Sequence, residues 1–113
     1  MDCLFCKIIA GEIPSKKVYE NEYVYAFHDI NPVAPIHVIV IPKKHIESVN
    51  SVDESNVESV KYVFEALPKI AEVLGVKEDG YRIITNVGEN GGQTIKHLHF
   101  HLIGGKKLDA KLV

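Results

Sequence analysis

The stretch Lys96-His97-Leu98-His99-Phe100-His101-Leu102-Ile103 places three of the chain's six histidines at alternate positions. Read as part of a strand over residues 95–103, it sends successive side chains to opposite faces. His97, His99 and His101 then share one face, and Leu98, Phe100 and Leu102 take the other, against a core. Three readings compete for the histidine face. As a solvated surface it is an odd choice, since Thr, Lys or Glu would serve. As a single metal site it meets a geometric difficulty. A strand rises ~3.3 Å per residue, so His97 and His101 lie ~13 Å apart, and ligand bonds of ~2 Å do not comfortably converge from both ends. An adjacent pair still has the reach to chelate. The third reading divides the labour between a nucleophile, its helpers and a separate metal.

The segment just upstream favours the third. Gly88-Glu89-Asn90-Gly91-Gly92-Gln93-Thr94 can turn backbone N–H groups inward without a Cβ in the way, as a nest for phosphate oxygens. It delivers directly into the histidine strand. Neutral imidazole has a free nitrogen able to attack phosphorus, and a protonated neighbour steadies charge or donates a proton.

Working outward, residues 4–10 read as a short helix stopped by Gly11 and Pro14. Residues 18–20 and 23–28 read as two strands around the turn Asn21-Glu22, and residues 37–41 as a strand covered on both faces. Between them, Asn31-Pro32-Val33-Ala34-Pro35 is a fixed loop, because two prolines forbid regular pairing. Ser51, with Glu54 three residues later, is expected to open the one long helix through a capping box. Val57, Val60, Phe64, Leu67, Ile70 and Leu74 form its apolar stripe, Pro68 kinks it and Gly75 caps its end. Residues 81–86 make a fourth strand. The expected architecture is α+β: one domain over residues 1–113, with a five-stranded antiparallel sheet, a long kinked helix and a short N-terminal helix.

Composition narrows the function. The 113 residues carry 13 basic and 15 acidic side chains, a net charge of −2, with no basic stripe interleaved with aromatics, so a nucleic-acid groove is not expected. No run approaches the ~20 apolar residues of a membrane helix, and Met1-Asp2-Cys3-Leu4-Phe5-Cys6 lacks a secretory leader, which points to the cytoplasm. In that reducing compartment Cys3 and Cys6 read as free thiols, a redox pair or metal ligands rather than a structural disulfide.

Residues 97–103 match in full the alternation His-φ-His-φ-His-φ-φ, with φ apolar, and so resemble the histidine-triad (HIT) family. Further landmarks are similar to its Hint branch: Lys7-Ile8-Ile9, Glu12-Ile13-Pro14, Ala26-Phe27-His28-Asp29-Ile30, Ala34-Pro35 with His37, Ile41-Pro42-Lys43-Lys44-His45-Ile46 and Gly91-Gly92-Gln93-Thr94. The resemblance implies a HIT-like fold and a purine nucleoside phosphoramidate hydrolase that releases AMP or GMP through a covalent nucleotidyl-histidine. It implies His99 as nucleophile and His101 on the α-phosphate. His37 would orient or balance protons, and Thr94 would bond the leaving group. It implies Asp29 on the ribose hydroxyls and Leu4, Phe5, Ile8 and Ile30 around the base. Asn86, Gly92 and Gln93 would complete the phosphate environment. No cofactor is implied for catalysis. Some family members resemble a structural zinc site here too, held by Cys3, Cys6, His45 and His97. A homodimer is the family expectation. The rival readings are a dinucleoside polyphosphate hydrolase of the same family and a nucleotide-binding regulatory module. The nucleotidyl-transferase branch resembles glutamine where this chain has His101. The C-terminal tail lacks the tryptophan frequent in Hint relatives, which leaves the leaving group open.

Overall fold

Two hydrophobic faces of one sheet organise the chain. The computed structural model describes residues 3–111. Its elements are α1 (Leu4–Ile9), β1 (Lys17–Glu20), β2 (Val24–His28), β3 (Ile36–Pro42), α2 (Val57–Val73), β4 (Tyr81–Ile84) and β5 (Phe100–Gly104), with a 3₁₀ turn at Val49–Ser51. The strands form one sheet in the order β1-β2-β3-β5-β4, each pair antiparallel. The fold class read from the sequence is thereby observed. The radius of gyration, 13.7 Å, compares with about 13 Å for one compact domain of this length.

Side-chain alternation explains the layering. Val24, Ala26, Val38, Val40, Phe100 and Leu102 turn toward α2 and meet its Val63, Ala66, Leu67, Ile70 and Ala71. Tyr25, Phe27, Ile39 and Ile41 turn the other way, toward Phe5 and Ile8 of α1. Strand β3 lies at the centre and is buried on both sides, as its unbroken apolar run required.

Three expectations are corrected. The long helix begins at Val57 instead of Ser51. Asp53 and Asn56 close a turn first: the Asp53 N–H donates to Asn56 Oδ1 at 2.8 Å, and Asn56 Nδ2 donates to the Ser51 carbonyl at 2.9 Å. Short polar side chains compete with a helix in this way. Phe64 is not in the buried stripe. It is 54% exposed and meets Phe100 edge to face. Finally, β5 starts at Phe100, and residues 95–99 leave the ladder. Pro68 does not end α2, and Gly75 takes the left-handed conformation (φ 76°) that follows a helix end.

Docking of α2 rests on side chains such as Ile70, which is fully buried against the sheet. Ile70→Ala should cost ~2–5 kcal/mol in urea unfolding, whereas Val73→Ala, at a position 66% exposed, should stay within ~0.5 kcal/mol. Equal losses at the two positions would contradict the docking described.

Candidate active site and metal-ligand cluster

Strand register brings the histidines together. Ile39 pairs with His101 across β3 and β5, and His37, two residues before Ile39, shares its face. Their imidazoles therefore meet on the diagonal, with His37 Nε2 and His101 Nδ1 2.9 Å apart. The His99 ring lies 5.2 Å from that of His101, and the Phe5 ring contacts both His97 and His99 edge to face. Beside them opens a cleft of about 1120 Å³ between α1 and the sheet. His37, His99, His101 and Thr94 line it, together with Leu4, Phe5, Ile8, Asp29, Ile30, Asn86 and Gly92. His28, at the end of β2, also reaches this wall.

A hydrogen bond decides which nitrogen of His99 carries the proton. Its Nδ1 lies 2.7 Å from the His97 carbonyl oxygen, which only accepts, so Nδ1 carries the proton. Nε2 is left with a free lone pair. Burial lowers the pKa of His99 below the ordinary imidazole value, only partly opposed by that hydrogen bond and by Asp29. His101 is lowered too, by burial first and then by the neighbouring His99 and His37. Asp29 Oδ2 stands 3.3 Å from His37 Nε2, while its Oδ1 accepts the N–H of Asn31 at 2.8 Å.

Residues 95–99, outside the sheet ladder, are fixed by particular bonds. The Leu98 N–H donates to the Ile46 carbonyl at 2.6 Å, and Thr85 Oγ1 donates to the His99 carbonyl at 2.8 Å. Thr85 was legible only as a strand residue, so its hold on the His99 backbone had no sequence signal. The preceding loop behaves differently from the expected nest. The N–H groups of Gly88, Gly92 and Gln93 are engaged within the loop itself, by Gln93 Oε1, the Glu89 carbonyl and the Gly88 carbonyl. Gln93 is not on the cleft wall. Its side-chain amide donates to the carbonyls of Glu47 and Ile95 and staples the loop in place. Asn86 donates to the Gly91 carbonyl at 2.7 Å from the cleft side. Gly91 cannot take a side chain, because a Cβ would stand 2.3 Å from the Val87 carbonyl oxygen.

Behind the triad, Cys3, Cys6, His45 and His97 converge, with their donor atoms all within 4.8 Å of one another. His97 is fully buried and lies 2.9 Å through Nε2 from the Pro42 carbonyl oxygen, so its proton sits there and Nδ1 is a bare lone pair. Nδ1 faces Cys3 Sγ at 3.3 Å, Cys6 Sγ at 3.6 Å and His45 Nδ1 at 3.2 Å. Bond lengths of ~2.3 Å to sulfur and ~2.0–2.1 Å to nitrogen make tetrahedron edges of about 3.6 Å for S···N and about 3.3 Å for N···N. The four side chains thus fit a tetrahedral divalent ion. Burial, and then the adjacent Cys3, push the Cys6 thiol up to about 11. A cation would reverse that preference, because metals bind the thiolate.

The HIT domain family matches residues 10–108 of the chain. The chain belongs to the HIT family. It is 43% identical over 111 residues to the purine nucleoside phosphoramidase of Escherichia coli K12, covering 98% of this chain and 93% of that one. Among solved structures it resembles a HIT family hydrolase from Clostridium thermocellum, with a TM-score of 0.95 and 50% identity over 99% of this chain and 97% of the other. A histidine triad protein from Clostridium difficile gives 0.94 and 48%, with coverage of 99% and 97%.

Depressed imidazole pKa values have a stability consequence. Between the native midpoints of His99 and His101 and the ordinary value of about 6.5, the unfolded chain binds more protons than this HIT domain does. Stability should therefore fall as pH is lowered through that window. Ring proton resonances of His99 and His101 should titrate below 6.5 in NMR spectra, and the thermal midpoint should drop in parallel. Midpoints at or above 6.5 would refute the burial argument.

Proposed function

We propose that this HIT-family hydrolase cleaves the P–N (or P–O) bond at the α-phosphate of purine nucleoside phosphoramidates and related nucleotide conjugates, releasing AMP or GMP. The observation that carries the proposal is the free Nε2 of His99, kept unprotonated by the bond from Nδ1 to the His97 carbonyl and by burial. Nε2 attacks phosphorus, the bond to the leaving group breaks, and a nucleotidyl-histidine forms. Water then hydrolyses it. Covalent catalysis splits one hard displacement into two easier steps. His101 faces the phosphate and steadies its developing charge, His37 positions His101, and Thr94 bonds the leaving group.

The rest of the cleft suits a nucleoside. Leu4, Phe5 and Ile8 supply an apolar wall for the base, and Ile30, 92% exposed at the mouth, gains a partner when a base covers it. Asp29 retains acceptor capacity for ribose hydroxyls beyond its contacts with Asn31 and His37. Asn86 and Gly92 border the phosphate end. Catalysis needs no cofactor in this scheme, since oriented donors carry the phosphoryl charge.

We further propose a structural zinc ion on Cys3, Cys6, His45 and His97. When bound it would supply a rigid tetrahedral joint between the N-terminal segment and the sheet. A homodimer is proposed along β4, which ends the sheet order and has β5 as its one neighbouring strand among the described residues. Among the described residues no helix is long and apolar enough to cross a membrane, and the two free thiols suit the reducing cytoplasm, where we place the protein.

AMP release should be followed from adenosine 5′-phosphoramidate and diadenosine triphosphate in parallel. The phosphoramidate should be preferred, with activity lost in His99→Ala by a factor on the order of 10⁴ or more. Preference for the dinucleotide would move the substrate to the rival class, and turnover independent of His99 would end the mechanism. Separately, protein purified without chelator should hold about one zinc per chain. The Cys3→Ser, Cys6→Ser double variant should hold almost none; an equal zinc content would dismiss the metal site.

A further inference from the structure

Of the two histidines that meet on the diagonal, His37 is 6% exposed and has both ring nitrogens engaged. Its Nδ1 lies 3.1 Å from the backbone N–H of Val33. A backbone amide only donates, so Nδ1 is an acceptor, and in the neutral ring the proton sits on Nε2. Nε2 faces His101 Nδ1 at 2.9 Å and Asp29 Oδ2 at 3.3 Å, both able to accept. Donation to His101 makes Nδ1 of His101 an acceptor as well. The proton of neutral His101 is then on Nε2, the nitrogen left for the cleft that His101 lines.

We propose that the backbone N–H of Val33 is a positioning group that fixes the tautomer of His37 and so presents a protonated Nε2 of His101 to the substrate's phosphate. The alternative proton order has the opposite consequence. With its proton on Nδ1, His37 would accept from His101 Nδ1, and His101 would turn a bare lone pair toward an anionic phosphate. The Val33 donor at Nδ1, with the Asp29 acceptor at Nε2 favouring the same order, thus sets the sign of the interaction.

The loop is built to hold that donor still. Pro32 and Pro35 restrict the backbone on both sides, and Pro32 itself has no N–H to offer, which makes the Val33 amide the first donor after it. The Asn31 N–H is tied to Asp29 Oδ1 at 2.8 Å, and the Asp29 N–H to the His37 carbonyl at 3.0 Å. Asp29 accordingly anchors the start of the loop with one oxygen and faces His37 with the other. The Val33 side chain is 66% exposed, so the residue acts through its main chain.

The effect on rate rests on the phosphoramidase reading, but the tautomer is measured without substrate. In protein labelled with ¹⁵N-histidine, long-range ¹H–¹⁵N correlations at about pH 8, above the ordinary imidazole range, report which nitrogen bears the proton. The wild type should show His37 and His101 each protonated at Nε2. Val33→Ala, which keeps the amide, should show the same. Val33→Pro should populate both tautomers at both histidines. So should a variant with 2-hydroxy-3-methylbutanoic acid at position 33, which replaces the N–H by an ester oxygen and keeps the side chain. In the ester variant kcat on adenosine 5′-phosphoramidate should fall about tenfold, the worth of one hydrogen bond, with KM nearly unchanged. A wild-type His37 protonated at Nδ1, or an ester variant that keeps the wild-type tautomers, would overturn the proposal, even if the Pro variant fails to fold. Absence of phosphoramidase activity would leave the spectra decisive and strike only the substrate reading.

Discussion

The imidazole of His97 is held at Nε2 by the Pro42 carbonyl and turned through Nδ1 toward Cys3, Cys6 and His45, while its own carbonyl receives the proton of His99 Nδ1. One fully buried residue thereby joins the N-terminal segment, the end of β3 and the imidazole of His99. Phe5, between the two cysteines in sequence, makes a second link, since its ring contacts both His97 and His99 and lines the cleft. Displacing the His97 backbone would release the tautomer of His99.

The bond that sets the His99 tautomer lies where the chain departs from regular structure. Had residues 95–99 stayed in the sheet, their carbonyls would be committed to the β3 ladder, which β5 joins only from Phe100. Outside it, the carbonyl of His97 is available to His99, and the His99 carbonyl to Thr85. The backbone groups still find partners, as buried polar groups must, but the partners are chosen one at a time. Phe5 fills the space beside the two rings, so an apolar residue of α1 both lowers the local polarity and orients the imidazoles.

Much of this was legible because it is local. Alternation over β2, β3 and the histidine segment assigns faces without knowledge of partners. His99 and His101 both line the cleft, even though β5 is shorter than the alternation implied. Helix α2 shows the limit. Ser51 and Glu54 have capping spacing, but Asp53 and Asn56 close a competing turn, and a motif cannot reveal which local hydrogen bond wins. Gln93 shows another, for whether a polar side chain in a glycine-rich loop faces a ligand or ties down its own loop depends on Glu47, 46 residues away. The Cys3, Cys6, His45, His97 set came from likeness to relatives, since spacing alone could not bring positions 3, 45 and 97 to one point.

Two clusters of this domain look equally able to hold a cation, since the donor atoms of Asp29, His37 and His101 also lie within 4.8 Å of one another. The partners of the remote ring nitrogens separate them. His97 gives its Nε2 proton to a carbonyl, which leaves Nδ1 free to coordinate. His37 accepts an amide proton at Nδ1, so a cation at Nε2 would demand an imidazole stripped of both protons or a broken bond to Val33. Ordinary metal binding at neutral pH meets the first arrangement and is opposed by the second. A carbonyl behind one imidazole and an amide behind the other thus give two similar groups of side chains different chemistry, a bare coordinating nitrogen in the first and a proton donor in the second.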